Sequence, residues 1–210
     1  MKESGLLSIL WLSAFLAVFA WSGIHPHDYF TWGLEVFPAV AGLGLIIATR
    51  KDFPLTPLAY WLILVHAIIL MIGGHYTYAE VPLFNWLRDA FALGRNNYDK
   101  VGHFAQGFIP AIIAREILIR KSPLTRGKWL TFLVICVCLA ISATYELMEW
   151  GVAEATGSAS EAFLGTQGYV WDTQSDMAYA LVGAVVSLVT FSKIHDRQLA
   201  ARGFLSGPAA

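Results

Sequence analysis

The sequence predicts an all-α fold: a polytopic transmembrane bundle of about six spanning helices plus one short interfacial helix. Three observations predict it. Of 210 residues, 57% are hydrophobic and only 14% charged, whereas a soluble domain carries roughly 25% charged residues. Apolar runs near the ~20 residues needed to cross a bilayer recur along the chain. The connections between them alternate between Lys/Arg-rich and Lys/Arg-poor.

The runs cover residues 5–24, 32–48, 58–74, 101–119, 129–150 and a sixth centred on 177–191. In the first, Lys2 before an apolar core and the small-residue site Val18-Phe19-Ala20 fit a signal peptide. Trp11, Trp21 and the span-length core favour a retained anchor. The sixth run as counted rises only ~22 Å at 1.5 Å per residue, short of a ~30 Å hydrocarbon core. Starting it near Asp172 gives a full span.

Arg50 and Lys51 follow the second run. Arg120, Lys121, Arg126 and Lys128 follow the fourth, and Lys193, Arg197 and Arg202 follow the sixth. Connections 23–31 and 151–174 contain neither Lys nor Arg. Both termini are therefore expected in the cytoplasm. In the long outer connection 75–100, Leu83, Trp86, Leu87, Ala90 and Phe91 recur at helical spacing. Pro82 suits a first turn and Gly94 a stop, so residues 82–91 read as a helix on the outer interface. Residues 156–160 read as a flexible linker and 194–210 as a disordered cytoplasmic tail. Residues 1–210 read as a single polytopic membrane domain, and no internal repeat stands out to support an inverted-repeat transporter. Cys136 and Cys138 stand at i, i+2 on a helix and point to different sides, which suits neither a disulfide nor a metal pair. No basic stripe suggests nucleic acid.

Function is signalled by carboxylates and histidines at one end of these segments. A charge within a bilayer costs at least ~2.5–3.5 kcal/mol on insertion scales, so several at one depth indicate a shared polar site. Helical spacing puts Asp99, His103, Gln106 and Pro110 on one stripe of the fourth segment. It puts Ser142, Tyr145, Glu146 and Glu149 on one face of the fifth, and Asp172, Asp176, Tyr179 and Gly183 on one face of the sixth. Glu35 and His75 are further candidates at the same end. His103, Glu146 and Asp176 lie deepest and are the candidate catalytic groups. Lys100, Gln106 and Glu149 are the candidate substrate contacts. Asp99, His103, Asp172 and Asp176 form a donor set that suits Mg, Mn or Zn. Asp99, Glu149 and Asp172 also stand where interfacial water would solvate them. His66, midway along the third segment, fits an interhelical hydrogen-bond partner. The Trp residues near segment ends fit an aromatic belt.

Three strings resemble a known family: Tyr-Asp-Lys-Val-Gly-His-Phe-Ala-Gln-Gly-Phe at 98–108, Tyr-Glu-Leu-Met-Glu-Trp at 145–150, and Gly-Tyr-Val-Trp-Asp-Thr-Gln-Ser-Asp-Met at 168–177. The chain resembles the YjdF-type bacterial inner-membrane proteins over nearly its whole length. The resemblance implies a multi-pass protein of the bacterial inner membrane and carries no established reaction. The Asp-Lys-x-x-His start, an acid on the next helix and an Asp-then-Gly pattern on the last are also similar to VanZ-like proteins. This chain departs from that pattern at Ala180, where a polar Asn is expected.

No nucleophile elbow, His-Glu-x-x-His or phosphate loop decides whether the chain is an enzyme. Three functions stand open. One is an enzyme-like site acting on an envelope lipid or lipid-linked substrate. The others are a small ion- or proton-coupled transporter, and a non-catalytic binding or assembly protein of the envelope.

Overall fold

Proline and aspartate mark several helix starts in the computed structural model, which describes residues 2–157 and 161–205. Helices α1 (Lys2–Ser22), α2 (Tyr29–Thr49) and α3 (Pro57–Tyr76) form the N-terminal series. After a short 3₁₀ turn at Tyr78–Glu80 come α4 (Pro82–Ala90), α5 (Tyr98–Lys121), α6 (Lys128–Thr156), α7 (Glu161–Leu164) and α8 (Asp172–Ala201). There is no strand among the described residues. Five helices (α1, α2, α3, α6 and α8) are long and apolar enough to cross a membrane. The 24 residues of α5 are also long enough. Its charges, from Asp99 and Lys100 at one end to Arg120 and Lys121 at the other, set it apart from the apolar five.

Chain contacts divide the molecule into two units. One comprises Met1–Ala48, Ile63–Gly102 and Glu149–Val170, the other Thr49–Leu62, His103–Met148 and Trp171–Ala210. In the first unit, Phe15 of α1, Val36 and Ala39 of α2, and Leu64, Ala67, Leu70 and Met71 of α3 share one buried cluster. Trp11, Phe15 and Phe19 stack one turn apart along α1, with centroids 5.7 and 6.4 Å apart. Most of the remaining α1 face, including Leu6, Ile9 and Leu10, is exposed, as a lipid-facing helix requires. Asp28 caps α2: its Oδ1 accepts the Thr31 N–H at 2.7 Å. His75 Nδ1 lies 3.0 Å from the Ser22 carbonyl and donates to it, tying the ends of α1 and α3 together. The Tyr78 ring occupies the space where Gly73 and Gly102 carry no side chain.

The short outer helix ends at Ala90, one residue before the expected limit. Its stop is not Gly94 but Ala92, whose φ of 50° is left-handed. Leu93 N–H then donates back to Arg88 O at 2.9 Å, closing a Schellman turn. Leu83, Trp86 and Phe91 are exposed, as an interfacial helix requires.

In the second unit, α5, α6 and α8 share a core of Ala111, Ala114, Leu130, Val134, Cys138, Ala184 and Leu188. Cys136 is exposed and Cys138 buried, and neither forms a disulfide. The α5 and α8 backbones touch. A Cβ on Gly107 would collide with the Ala180 carbonyl, and one on Gly183 with the Phe104 carbonyl. Small residues permit this approach. Ala180, where the VanZ-like pattern expects Asn, is fully buried at this crossing.

The last helix runs past Ile194, where the sequence reading ends it, to Ala201. Residues 194–201 are therefore helix and not disordered tail, because His195, Asp196 and Leu199 are buried and hold them in place. Residues 206–210 of that expected tail, and 158–160 of the expected linker, lie outside the described residues. Thr156 of that linker is the last residue of α6.

Candidate functional site

Three helices bring His103, Glu146 and Asp176 together. The α5–α8 crossing at Gly107 and Gly183 lies one to two turns below His103 and Asp176, so the two side chains are forced close. His103 Nε2 is 3.9 Å from Asp176 Oδ2, and His103 Nδ1 is 3.6 Å from Glu146 Oε1. The imidazole thus has a carboxylate beyond each nitrogen. All three residues are buried, at 5%, 7% and 3% exposure. Both separations exceed the 2.7–3.2 Å of a direct N–H···O bond. The Tyr145 ring meets the imidazole edge-on at 6.3 Å.

Polar groups continue on the same helix faces. Gln106, one turn after His103, is 9% exposed, and its Oε1 has no hydrogen-bond partner among the described residues. Ser142, one turn before Glu146, is fully buried with its Oγ likewise unpartnered. Buried polar atoms are nearly always satisfied by protein, water or ligand. Asp172, one turn before Asp176, is also buried.

The other expected residues fall in the first unit. Asp99 is buried and receives Arg95 Nη2 at 3.4 Å and Lys100 Nζ at 3.3 Å. Arg95 and Lys100 both face the Tyr169 ring, each 5.8 Å from its centroid. Glu149 is partly buried and Glu35 buried. His75, a further candidate, is engaged with a backbone carbonyl and aromatic neighbours.

Comparison with known proteins decides the family. Residues 7–197 match the family described as "Predicted membrane protein (DUF2238)". The chain is 50% identical over 190 residues to the "Inner membrane protein YjdF" of Escherichia coli (strain K12), covering 90% of this chain and 91% of that protein. This chain belongs to the DUF2238 family. It is a multi-pass inner-membrane protein of unknown biochemical role, and its partner by construction is the lipid bilayer. No solved structure matches it.

Two polar networks of this DUF2238 chain escape sequence reasoning. At the first, Asn96 is fully buried and donates to Val81 O and Asn85 Oδ1 at 3.1 and 2.8 Å. Its backbone pairs reciprocally with the Gln167 amide, both bonds 2.9 Å. Arg95 donates to Gly165 O at 3.0 Å. Such loop-to-loop pairings have no periodicity to betray them.

The second lies at the other ends of α5 and α8. Glu116 and His195 are both fully buried. Glu116 accepts from Thr56 N–H, Thr56 Oγ1 at 2.8 Å and Arg120 Nη1 at 2.7 Å. Arg115 reaches His195 Nδ1 at 3.1 Å and pairs with Asp196. Arginine has no acceptor, so Nδ1 accepts and the Nε2 hydrogen is donated to Glu116 at 3.2 Å. The Arg120 guanidinium sits between the Phe53 and Phe204 rings, 3.6 and 4.1 Å from their centroids. The signal available was the buried stripe 172, 176, 180, 184, 188, which continues through His195 and Leu199.

Proposed function

We propose that this inner-membrane protein carries an enzyme-like polar site at its outer face that acts on an envelope lipid or lipid-linked substrate. The observation that carries the reading is the His103 imidazole between two buried carboxylates, 3.6 and 3.9 Å away, on three different helices. A neutral imidazole has one donor and one acceptor nitrogen, and a carboxylate, which only accepts when ionised, does not by itself satisfy the second. An imidazole addressed on both nitrogens can hold a charge, a proton or an ion for transfer to a bound molecule. His103, Glu146 and Asp176 are the reacting groups in this reading. Gln106 is assigned to substrate contact beside them; Lys100, proposed to meet an anionic group, and Glu149, the other expected substrate contacts, lie in the other unit. Exposed Tyr169, Val170 and Trp171 just before α8 suit residence in the headgroup layer, where such a substrate presents its polar end.

A carrier is less well supported. Transport requires a path past the α5–α8 crossing, and there the backbones touch at Gly107 and Gly183. The Arg115–Glu116–His195 cluster beyond it is occupied by its own hydrogen bonds.

The basic connections assign both termini, Lys51 and Lys121 to the cytoplasm, and the α6–α7 connection to the outside. Reporter fusions after Lys51 and Lys121 should report cytoplasm, and one after Gly157 the exterior. A cytoplasmic signal after Gly157 overturns the outward-facing site.

The functional test is Glu146→Gln, which keeps shape but removes the charge and the transferable proton. Growth under envelope stress is scored in a deletion strain at matched protein level, beside detergent melting. A lost phenotype with unchanged melting supports the site. Normal growth with lowered melting refutes it in favour of a scaffold.

A further inference from the structure

We propose that the site binds one divalent cation between His103 Nε2 and Asp176, with the Glu146 carboxylate beside the opposite ring nitrogen. The inference rests on the outer-face site proposed above and names what it binds. Three observations carry it.

The first is the arrangement around the imidazole. A metal-binding histidine almost always donates its second ring N–H to a carboxylate, which fixes the tautomer and presents the other nitrogen to the ion. Here Glu146 Oε1 stands off Nδ1 and Asp176 Oδ2 stands off Nε2. Glu146 and Asp176 come from different helices, so the carboxylate–imidazole–carboxylate order is built by the fold and not by sequence neighbours.

The second is distance. Metal–N and metal–O bonds are ~2.0–2.2 Å. Two ligands of one ion then stand roughly 3–3.5 Å apart at tetrahedral or octahedral angles. The 3.9 Å between Nε2 and Oδ2 is too long for a hydrogen bond and a few tenths of an ångström from that spacing.

The third is the pair of unpartnered buried polar atoms on the same faces. Gln106 Oε1 lies one turn from His103, and Ser142 Oγ lies one turn from Glu146. An amide oxygen is an acceptor only, and a cation, or a water bound to one, is among the groups that would satisfy it. Asp172, buried one turn before Asp176, adds a further carboxylate on the same helix to an oxygen-rich set. Such a set suits Mg or Mn, and the imidazole extends it to Zn. The remaining positions fall to water or to an oxyanion of the substrate. The cation would then bind that oxyanion and polarise it.

The test uses the full chain in detergent. Metal content is measured on the protein as purified and after chelation, and melting is followed on adding back MgCl2, MnCl2 or ZnCl2. A cation that binds only the folded state raises melting by mass action. One of the three should bind near one equivalent, and chelation should reverse its shift. Glu146→Gln should weaken binding by about 10–100-fold, as loss of a supporting carboxylate does, and Asp176→Asn should abolish it. If wild type shows no bound metal and no shift with any of the three salts, the cation is refuted, whatever the variants do. If Glu146→Gln still loses growth in that case, the acid–base site stands without metal. Metal binding that Asp176→Asn leaves intact refutes this placement of the ion.

Discussion

Gly107→Ala tests the crossing that brings His103 to Asp176. Gly107 sits mid-α5, where alanine is favoured by about 1 kcal/mol on helix propensity alone. Packing opposes it. The added Cβ would meet the Ala180 carbonyl oxygen, carbonyl carbon and Cα, all backbone atoms that no rotamer change can move. Restoring ordinary contact distance needs a shift of α5 from α8 on the order of 1–2 Å. Overpacking of this kind costs about 1–3 kcal/mol, with the upper end expected where the obstacle is a helix backbone. The net expectation is a loss of about 2 kcal/mol. Gly42→Ala in α2 is the control, because nothing lies within 4 Å of a Cβ there, and it should be neutral or gain up to ~1 kcal/mol. The assay is unfolding of both variants in the same detergent by melting and by denaturant titration. The same shift should widen the His103–Asp176 gap, so Gly107→Ala should also lose the growth phenotype. If Gly107→Ala matches Gly42→Ala in stability, the backbone contact is not what sets this crossing.

Three further outcomes are expected. Ala92→Gly should stabilise the protein by about 0.5–1 kcal/mol, because glycine carries no Cβ penalty at the left-handed Schellman position; a destabilised variant in the same melting assay would contradict that turn. Asp28→Ala should cost about 1 kcal/mol through loss of the α2 cap. The Thr31 N–H holds the Asp28 carboxyl below its usual 3.8. Its contribution is therefore complete above about pH 4 and fades as pH falls through the lowered folded value. The difference in melting between wild type and Asp28→Ala should shrink on acidification, and a difference that grows there would reverse the sign. Glu116→Ala should cost about 3–5 kcal/mol, since Arg120, Thr56 and His195 would lose a shared buried acceptor; a loss under 1 kcal/mol by denaturant unfolding would show the network to be solvated.

The helices were legible because apolar length is a strong signal. Each expected run lies within an observed helix, apart from two residues at the end of the first. The ends were less legible. Tyr98, Asp99 and Lys100 continue α5, and residues 192–201 continue α8, because charged residues at a helix end lower hydropathy without ending the helix. His103, Glu146 and Asp176 could be chosen from sequence because ionisable residues are costly in apolar segments. That they meet depends on Gly107 and Gly183, whose small size is visible in the sequence but whose facing partners are not. The His195–Glu116 cluster stayed hidden because its members lie 79 residues apart, and His195 and Asp196 stand next to Lys193 and Arg197 in what reads as a polar tail.

That cluster also bears on the order of synthesis. Glu116 finds Thr56 and Arg120 among residues made before it or within one turn after it. Arg115 does not: its acceptors, His195 and Asp196, are 80 and 81 residues further on. Until α8 emerges, a guanidinium near the end of α5 has no protein counterpart and must be held by water, headgroups or the insertion machinery. The last helix thus supplies contacts that the earlier helices cannot make among themselves. A nascent chain stalled before residue 195 leaves Arg115 without the two acceptors it has in the folded protein.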